Sequence, residues 1–469
     1  MATTSKNGQA SGNIIAIIAM FFLFAMISFV TNLAAPIGTI WGNEFEGNST
    51  LGMLGNMMNF LAYLFMGIPA GRLLQNIGYK KTALWAMAVG VIGLFVQWLS
   101  SQAGSDIAVL TTGGLTVNLN FFIYLLGAFI CGFCVCMLNT VVNPMLNLLG
   151  GGGNKGNQLL QTGGALNSLS ATLTPLFVGV LIGELTDTTT MMDVAPLLWV
   201  AIGVFVASFI VITFVSIPEP DLRKKGQKAP QYTHSPWNFR HTVLGVIAIF
   251  IYVGVEIGVP GTLTFYLSEP GANGAGIAGK ASAIAGAIAA IYWLLMLVGR
   301  TLSSFISGFV STRAQLGFAG GLAIILVIAA ICVPAANTLP VPEFIYSGEI
   351  DATTGAVIRA QVPVSAYLLV LCGLCTSVMW GGIFNLAVEG LGKYTAQASG
   401  IFMMMVVGGG IIPLLQQVVA KYVGYMNSYW VIVACVAYIF FYALVGSKNV
   451  NKDIPVTDEE ELEKIPDAL

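Results

Sequence analysis

The chain has 469 residues, 56% of them hydrophobic and only 9% charged, with a formal net charge of −2. Soluble proteins carry about 25% charged residues, so a soluble enzyme or a nucleic-acid binder is excluded. What remains is a polytopic membrane protein set in a lipid bilayer.

A helix needs about 20 apolar residues to cross the hydrocarbon core. Residues 1–13 form a short polar tail without a basic n-region, so no cleavable signal is expected. Twelve apolar runs follow, near 14–40, 51–70, 82–101, 119–149, 158–183, 194–216, 242–268, 281–311, 314–334, 363–390, 396–420 and 427–447. They are continuous and lack the alternation of barrel strands. The expected class is all-α, with twelve transmembrane helices in two pseudo-symmetric six-helix halves, 14–216 and 242–447. A basic loop, 217–241, joins the halves, and an acidic tail, 448–469, ends the chain.

In chain order, the first run carries Asn32 and then Pro36. The second carries Asn56 and ends on Gly71-Arg72. The fourth holds Asn139 and Asn143, which at i and i+4 share one helix face. Gly150–Gly153 lacks the ending of a phosphate loop and reads as a turn. Gln161 opens the fifth run. The seventh holds Glu256 as its one charge, with Pro260 four residues on. A charged residue at the bilayer centre costs about 2.5–3.5 kcal/mol on insertion scales and marks an ion or substrate path. Trp293 and Trp380 lie inside the eighth and tenth runs, away from the interfaces where tryptophans collect. Asn385 follows in the tenth. Arg300, in Gly299-Arg300, is read with Arg72 as a snorkelling anchor or a gate contact. Seven cysteines, two pairs of them in C-x-x-C spacing, read as small packing residues rather than metal ligands.

Sixteen of the 19 Lys and Arg fall on the tails and even-numbered loops. Lys280, Arg359 and Lys421 fall on the other side. The positive-inside rule then puts both termini in the cytoplasm. The halves repeat each other. Asn32-x-x-x-Pro36 matches Glu256-x-x-x-Pro260, and Gly71-Arg72 matches Gly299-Arg300. A fixed offset of 238 relates Cys134 to Cys372, Asn147 to Asn385 and Pro175 to Pro413. Duplicated six-helix units of this kind are a transporter device, with substrate near the midplane between the repeats.

These features resemble the major facilitator superfamily. The segment Gly71-Arg-Leu-Leu-Gln-Asn-Ile-Gly78-Tyr-Lys80-Lys81 is similar to its loop between the second and third helices, with Gln75 at the usual acidic position. More narrowly, the chain resembles the fucose permease branch, which includes glucose/galactose transporters. The motifs are Phe21-Phe-Leu-Phe-Ala25, Asn139-Thr-Val-Val-Asn143-Pro144, Asn167-Ser168-Leu169, Tyr252-Val-Gly-Val-Glu256 and Gly408-Gly-Gly-Ile-Ile-Pro413. The resemblance implies an inner-membrane sugar symporter driven by protons or sodium, with no other cofactor. Where the branch has carboxylates in the first and fourth spans, this chain has Asn32 and Asn139. A family Gln falls on Gly164, with Gln161 one turn earlier. An amide does not titrate near neutral pH, so Glu256 is the one acid left for coupling to H⁺ or Na⁺.

The expected substrate is a neutral monosaccharide of the glucose or galactose kind, carried by a monomer. Asn32, Asn139, Asn143, Gln161, Glu256, Trp293, Trp380 and Asn385 are the candidate contacts. Amides offer two donors and two acceptor lone pairs to sugar hydroxyls, and an indole offers a flat face. Each could instead join helices. No cation lies mid-membrane in the first or seventh span, which argues against phosphorylated or carboxylate substrates. A uniporter, an exporter of another metabolite and a sugar sensor on the same scaffold stay open. The only histidines, His234 and His241, sit at the central loop, and no nucleophile–base pair is present, so an enzyme is not expected.

Overall fold

The computed structural model describes residues 3–45, 49–52, 54–112, 115–182, 189–219, 234–268, 274–277, 281–343, 349–350 and 357–457. The basic stretch 223–228, Lys280, Asn48 of the Asn48-Ser-Thr50 sequon and the acidic run 458–463 lie outside them.

Among the described residues the helices form twelve spans. The first is Thr3–Glu44, with an apolar stretch at Ile14–Ala34, so the helix already begins within the segment read as a tail. The second and third form one run, Leu54–Leu99, turning at Gly78. The fourth to ninth are Leu119–Leu149, Gly153–Ile182, Ala195–Phe214, Arg240–Ser268, Ala281–Ile306 and Thr312–Cys332. The tenth is interrupted, Val364–Thr376 then Met379–Val388. The eleventh is interrupted too: Thr395–Met404, a tight turn Met405–Val407, then Gly408–Val423. The twelfth, Tyr425–Phe441, widens into a π-turn at Tyr442–Gly446.

Short antiparallel hairpins occupy two loops, which apolar runs alone do not reveal. One pairs Ala108–Thr112 with Leu115–Asn118. The others pair Thr338–Pro340 with Gln361–Pro363 and Glu349–Ile350 with Val357–Ile358.

Two compact units result. Unit one is Met1–Thr242, Val388–Val407 and Asn449–Leu469; unit two is Val243–Ala387 and Gly408–Lys448. Unit one therefore includes the first half of span eleven and the segment after span twelve.

Within unit one, span eleven lies on span two through glycines. A Cβ on Gly400 would sit 2.7 Å from the Gly67 carbonyl oxygen and 3.0 Å from Gly71 Cα. Small residues let helix backbones approach this closely in membranes. Pro144 supplies a second tie. A proline lacks the N–H that would bond the carbonyl four residues earlier; here that is Thr140, and its carbonyl accepts from Ser399 Oγ at 3.3 Å. Cys131 and Cys134 pack into notches left by Gly93 and Gly90.

Gly78 (φ 85°, ψ 173°) occupies a region open essentially to glycine. Beyond it the N-terminus of span three is capped from afar. The Glu219 carboxylate accepts from Tyr79 N at 2.6 Å and Lys80 N at 2.9 Å. Partial burial pushes the Glu219 carboxyl above its ordinary value, against those two donors and the charges of Lys80 and Lys81.

The segment after span twelve straps the loop before span eleven. Lys393 N donates to Val456 O at 3.1 Å and Tyr394 Oη to Pro455 O at 3.3 Å. Asn451 Oδ1 accepts from Arg240 N, the first residue of span seven, at 2.9 Å.

Candidate functional site

Unit two builds its polar centre on spans seven and eight and on both pieces of span ten. Glu256 lies midway along span seven. Arg300 Nη2 donates to Glu256 Oε1 at 3.0 Å, and the two side chains are only 10% and 15% exposed. The position of Arg300 follows from helix periodicity. Ile284, Ile288, Tyr292, Met296 and Arg300 recur every four residues on the buried stripe of span eight.

Arg300 is therefore no snorkelling anchor. Its stem stays inside, six residues before the helix ends, because a buried carboxylate is there to receive it. It also supplies the buried cation that the first and seventh spans lack, although Glu256 neutralises it.

Tyr252 precedes Glu256 by four residues on the same face. It is fully buried, with its hydroxyl beside the carboxylate and the guanidinium. Its ring lies 6.1 Å from that of Trp380, which opens the second piece of span ten. Tyr292 Oη and Thr376 Oγ1 share a hydrogen bond of 2.8 Å at the end of the first piece. Trp293 meets Tyr292 edge to face at 5.5 Å. Pro260 adds one more feature: it removes the N–H that would bond the Glu256 carbonyl. Side chain and main chain of one residue thus both offer acceptors.

Asn385 belongs elsewhere. Its Nδ2 donates to Thr312 Oγ1 at 3.1 Å, joining the last turn of span ten to the first residue of span nine. That is the helix-joining use of an amide.

Unit one holds an uncharged group. Asn139 Nδ2 donates to Tyr63 Oη at 2.9 Å and to Val135 O at 3.2 Å. Asn143, fully buried, donates to the Asn139 carbonyl at 2.8 Å. Spans two and four thus present a chain of phenol and amides, with the Asn59 Oδ1 acceptor buried on span two. Asn32 is partly exposed and turns back on its own helix, donating to Ser28 O at 2.8 Å and Ser28 Oγ at 3.1 Å. Pro36 removes the partner of its carbonyl, as Pro260 does for Glu256. Gln161 is buried on span five. Span five is tied to span one by Asn167 Nδ2 on Phe24 O and Ser170 Oγ on Ala25 O. Arg72 is exposed on span two.

Sequence reasoning missed Tyr63, Tyr292 and the role of Arg300. The four-residue phase of span eight carried the signal for Arg300 and Tyr292. Tyr63 gave none, being one tyrosine in an apolar run.

The family model of the Major Facilitator Superfamily matches residues 17–414. The chain belongs to the major facilitator superfamily. Within this superfamily it falls in the fucose permease-like branch, and it is a transporter, not an enzyme. It is 30% identical over 442 residues to a glucose/galactose transporter of Brucella abortus biovar 1 (strain 9-941), covering 92% of this chain and 94% of that one. It is 24% identical over 464 residues to the L-fucose-proton symporter of Escherichia coli (strain K12), covering 92% of each. Its fold is similar to the crystal structure of the superfamily transporter FucP in the outward conformation, with a TM-score of 0.72, 18% identity, and coverage of 93% and 99%. The multi-pass membrane architecture of the superfamily accounts for all twelve spans.

Proposed function

We infer that this protein moves a neutral monosaccharide, a hexose of the glucose or galactose kind, across the inner membrane by alternating access. Both termini lie in the cytoplasm in this reading, and the chain acts as a monomer. The observation that supports it most is the uncharged group Tyr63–Asn139–Asn143, buried mid-span, with an amide at Asn139 where the branch that the chain resembles has a carboxylate. Phenol and amide groups donate and accept in the pattern that a ring of hydroxyls requires. Unit two separately offers Glu256 as a strong acceptor and Trp380 beside Tyr252 as an aromatic face. The glucose/galactose transporter of Brucella abortus supports the hexose class.

Facilitated movement is the first form of this reading, since the positions at which the branch has acids hold Asn32 and Asn139. Cation symport through Glu256 is the second, favoured by the name of the Escherichia coli relative. Uptake into proteoliposomes across a panel of labelled sugars, with and without imposed H⁺ and Na⁺ gradients, tests both. Exchange of neutral hexoses without accumulation supports the first form. Accumulation that Glu256→Gln abolishes, with exchange retained, supports the second. Failure of every neutral monosaccharide defeats the reading.

A further inference from the structure

We propose that Arg300 is a positioning residue that holds Glu256 as a fixed, ionised acceptor for a substrate hydroxyl, so that this site binds without taking up or releasing a proton. The hydroxyl donor rests on the monosaccharide reading above; the charge state of Glu256 does not.

Glu256 and Arg300 form a buried pair. A carboxylate taken out of water reverts to its neutral form unless a counter-charge stays beside it. A guanidinium is protonated at every accessible pH, so Arg300 is a permanent counter-charge, and it lies at 3.0 Å. Among the described residues of unit two, the elements packed on span seven bring no second charge to compete. Span eight adds Tyr292, and span seven itself adds Tyr252; both are neutral near pH 7. The second piece of span ten brings Trp380 to Tyr252, and the first meets span eight, with Thr376 and the Cys372 thiol by Tyr292. Span eleven approaches through Ile412 and Gln416, with Lys421 in its exposed last turn. Span twelve brings Tyr429, whose hydroxyl donates to Val259 O at 2.8 Å.

Position matters as much as charge. The stripe from Ile284 to Met296 fixes where span eight presents the guanidinium, and its Nη2 takes Oε1. The carboxylate is thereby aimed, with the Glu256 carbonyl released by Pro260 on the same residue. A carboxylate locked in this way serves as a rigid hydrogen-bond acceptor and makes a poor proton carrier.

The test is infrared difference spectroscopy on full-length protein in nanodiscs over about pH 5 to 8, paired with labelled-hexose exchange in proteoliposomes. The variants are Glu256→Gln, Arg300→Gln, Arg300→Lys and the double neutral variant. In wild type no protonated-carboxyl band that Glu256→Gln removes is expected anywhere in this range, and the KM for exchange is flat. Arg300→Gln should gain that band. Its KM should then rise as pH falls, approaching about tenfold per pH unit below the new midpoint, with the maximal rate changed far less. The double neutral variant should show a raised but pH-independent KM.

If Arg300→Gln does not fold, Arg300→Lys carries the test: Glu256 should stay ionised while KM rises, because the charge is kept and the aim is lost. A Glu256 carboxyl band that titrates in wild type overturns the proposal. So does a wild-type KM in Arg300→Gln or Arg300→Lys. Failure of the whole sugar panel in wild type sinks the monosaccharide reading alone, and the infrared result still decides the charge of Glu256.

Discussion

Gly400→Ala on span eleven is the sharpest perturbation of the seam with span two. The new Cβ would lie 2.7 Å from the Gly67 carbonyl oxygen and 3.0 Å from Gly71 Cα, against 3.4 Å for the lower limit of ordinary contact. The shortfall falls on backbone atoms, which cannot swing aside as a side chain can. The helices must part, and overpacking of this kind costs about 1–3 kcal/mol. Two measurements in nanodiscs follow it: the melting temperature, and the spin-label distance between spans two and eleven. Gly286→Ala on span eight, where a Cβ meets nothing within 4 Å, is the control. If Gly400→Ala melts like the control and leaves the distance distribution unchanged, the seam is not a close contact and the reasoning fails.

Gly78→Ala should destabilise by about 1–3 kcal/mol, because its backbone conformation is open essentially to glycine and its Cβ would overlap the Glu219 carboxylate; a thermal melt reads this directly. Glu219→Gln should flatten the pH dependence of stability in the acidic range. The folded carboxyl is raised, so its stabilising contribution is fully present below the unfolded value and is lost as pH rises through the folded one. A loss of stability with rising pH that is steeper in the variant than in wild type would contradict that sign. Asn451→Ala removes the remote cap on span seven and should cost about 0.5–2 kcal/mol, with faster amide exchange at Arg240 as its local mark. Asn385→Ala should lower the melting temperature and leave the KM for sugar unchanged, since its amide joins spans nine and ten; a raised KM would return it to the substrate site.

Apolar run length and the six-and-six repeat were enough to read the twelve spans, because a bilayer imposes a minimum helix length and little else. The interruptions were not readable. Span ten breaks at Ser377–Val378 and span eleven at Met405–Val407 inside unbroken apolar sequence, where tertiary contacts decide the backbone. The site was legible in part. Glu256, Asn139 and Asn143 stood out because polar groups in apolar runs are rare. Asn385 stood out equally and is bonded to Thr312 of span nine, since residue type alone cannot separate the two uses of an amide. The repeat with Arg72 suggested a shared role for Arg300, as anchor or gate contact, and the structure removes only the anchor. One of the two is exposed and the other is buried against a carboxylate that the first half lacks.

Exchange of labelled glucose and galactose by the purified protein in proteoliposomes, beside a sugar acid and an amino sugar, tests the central claim most directly. The account predicts saturable exchange of the neutral hexoses, a higher KM in Asn139→Ala, and no exchange of the charged sugars. Exchange of the sugar acid with none of the neutral hexoses would contradict it.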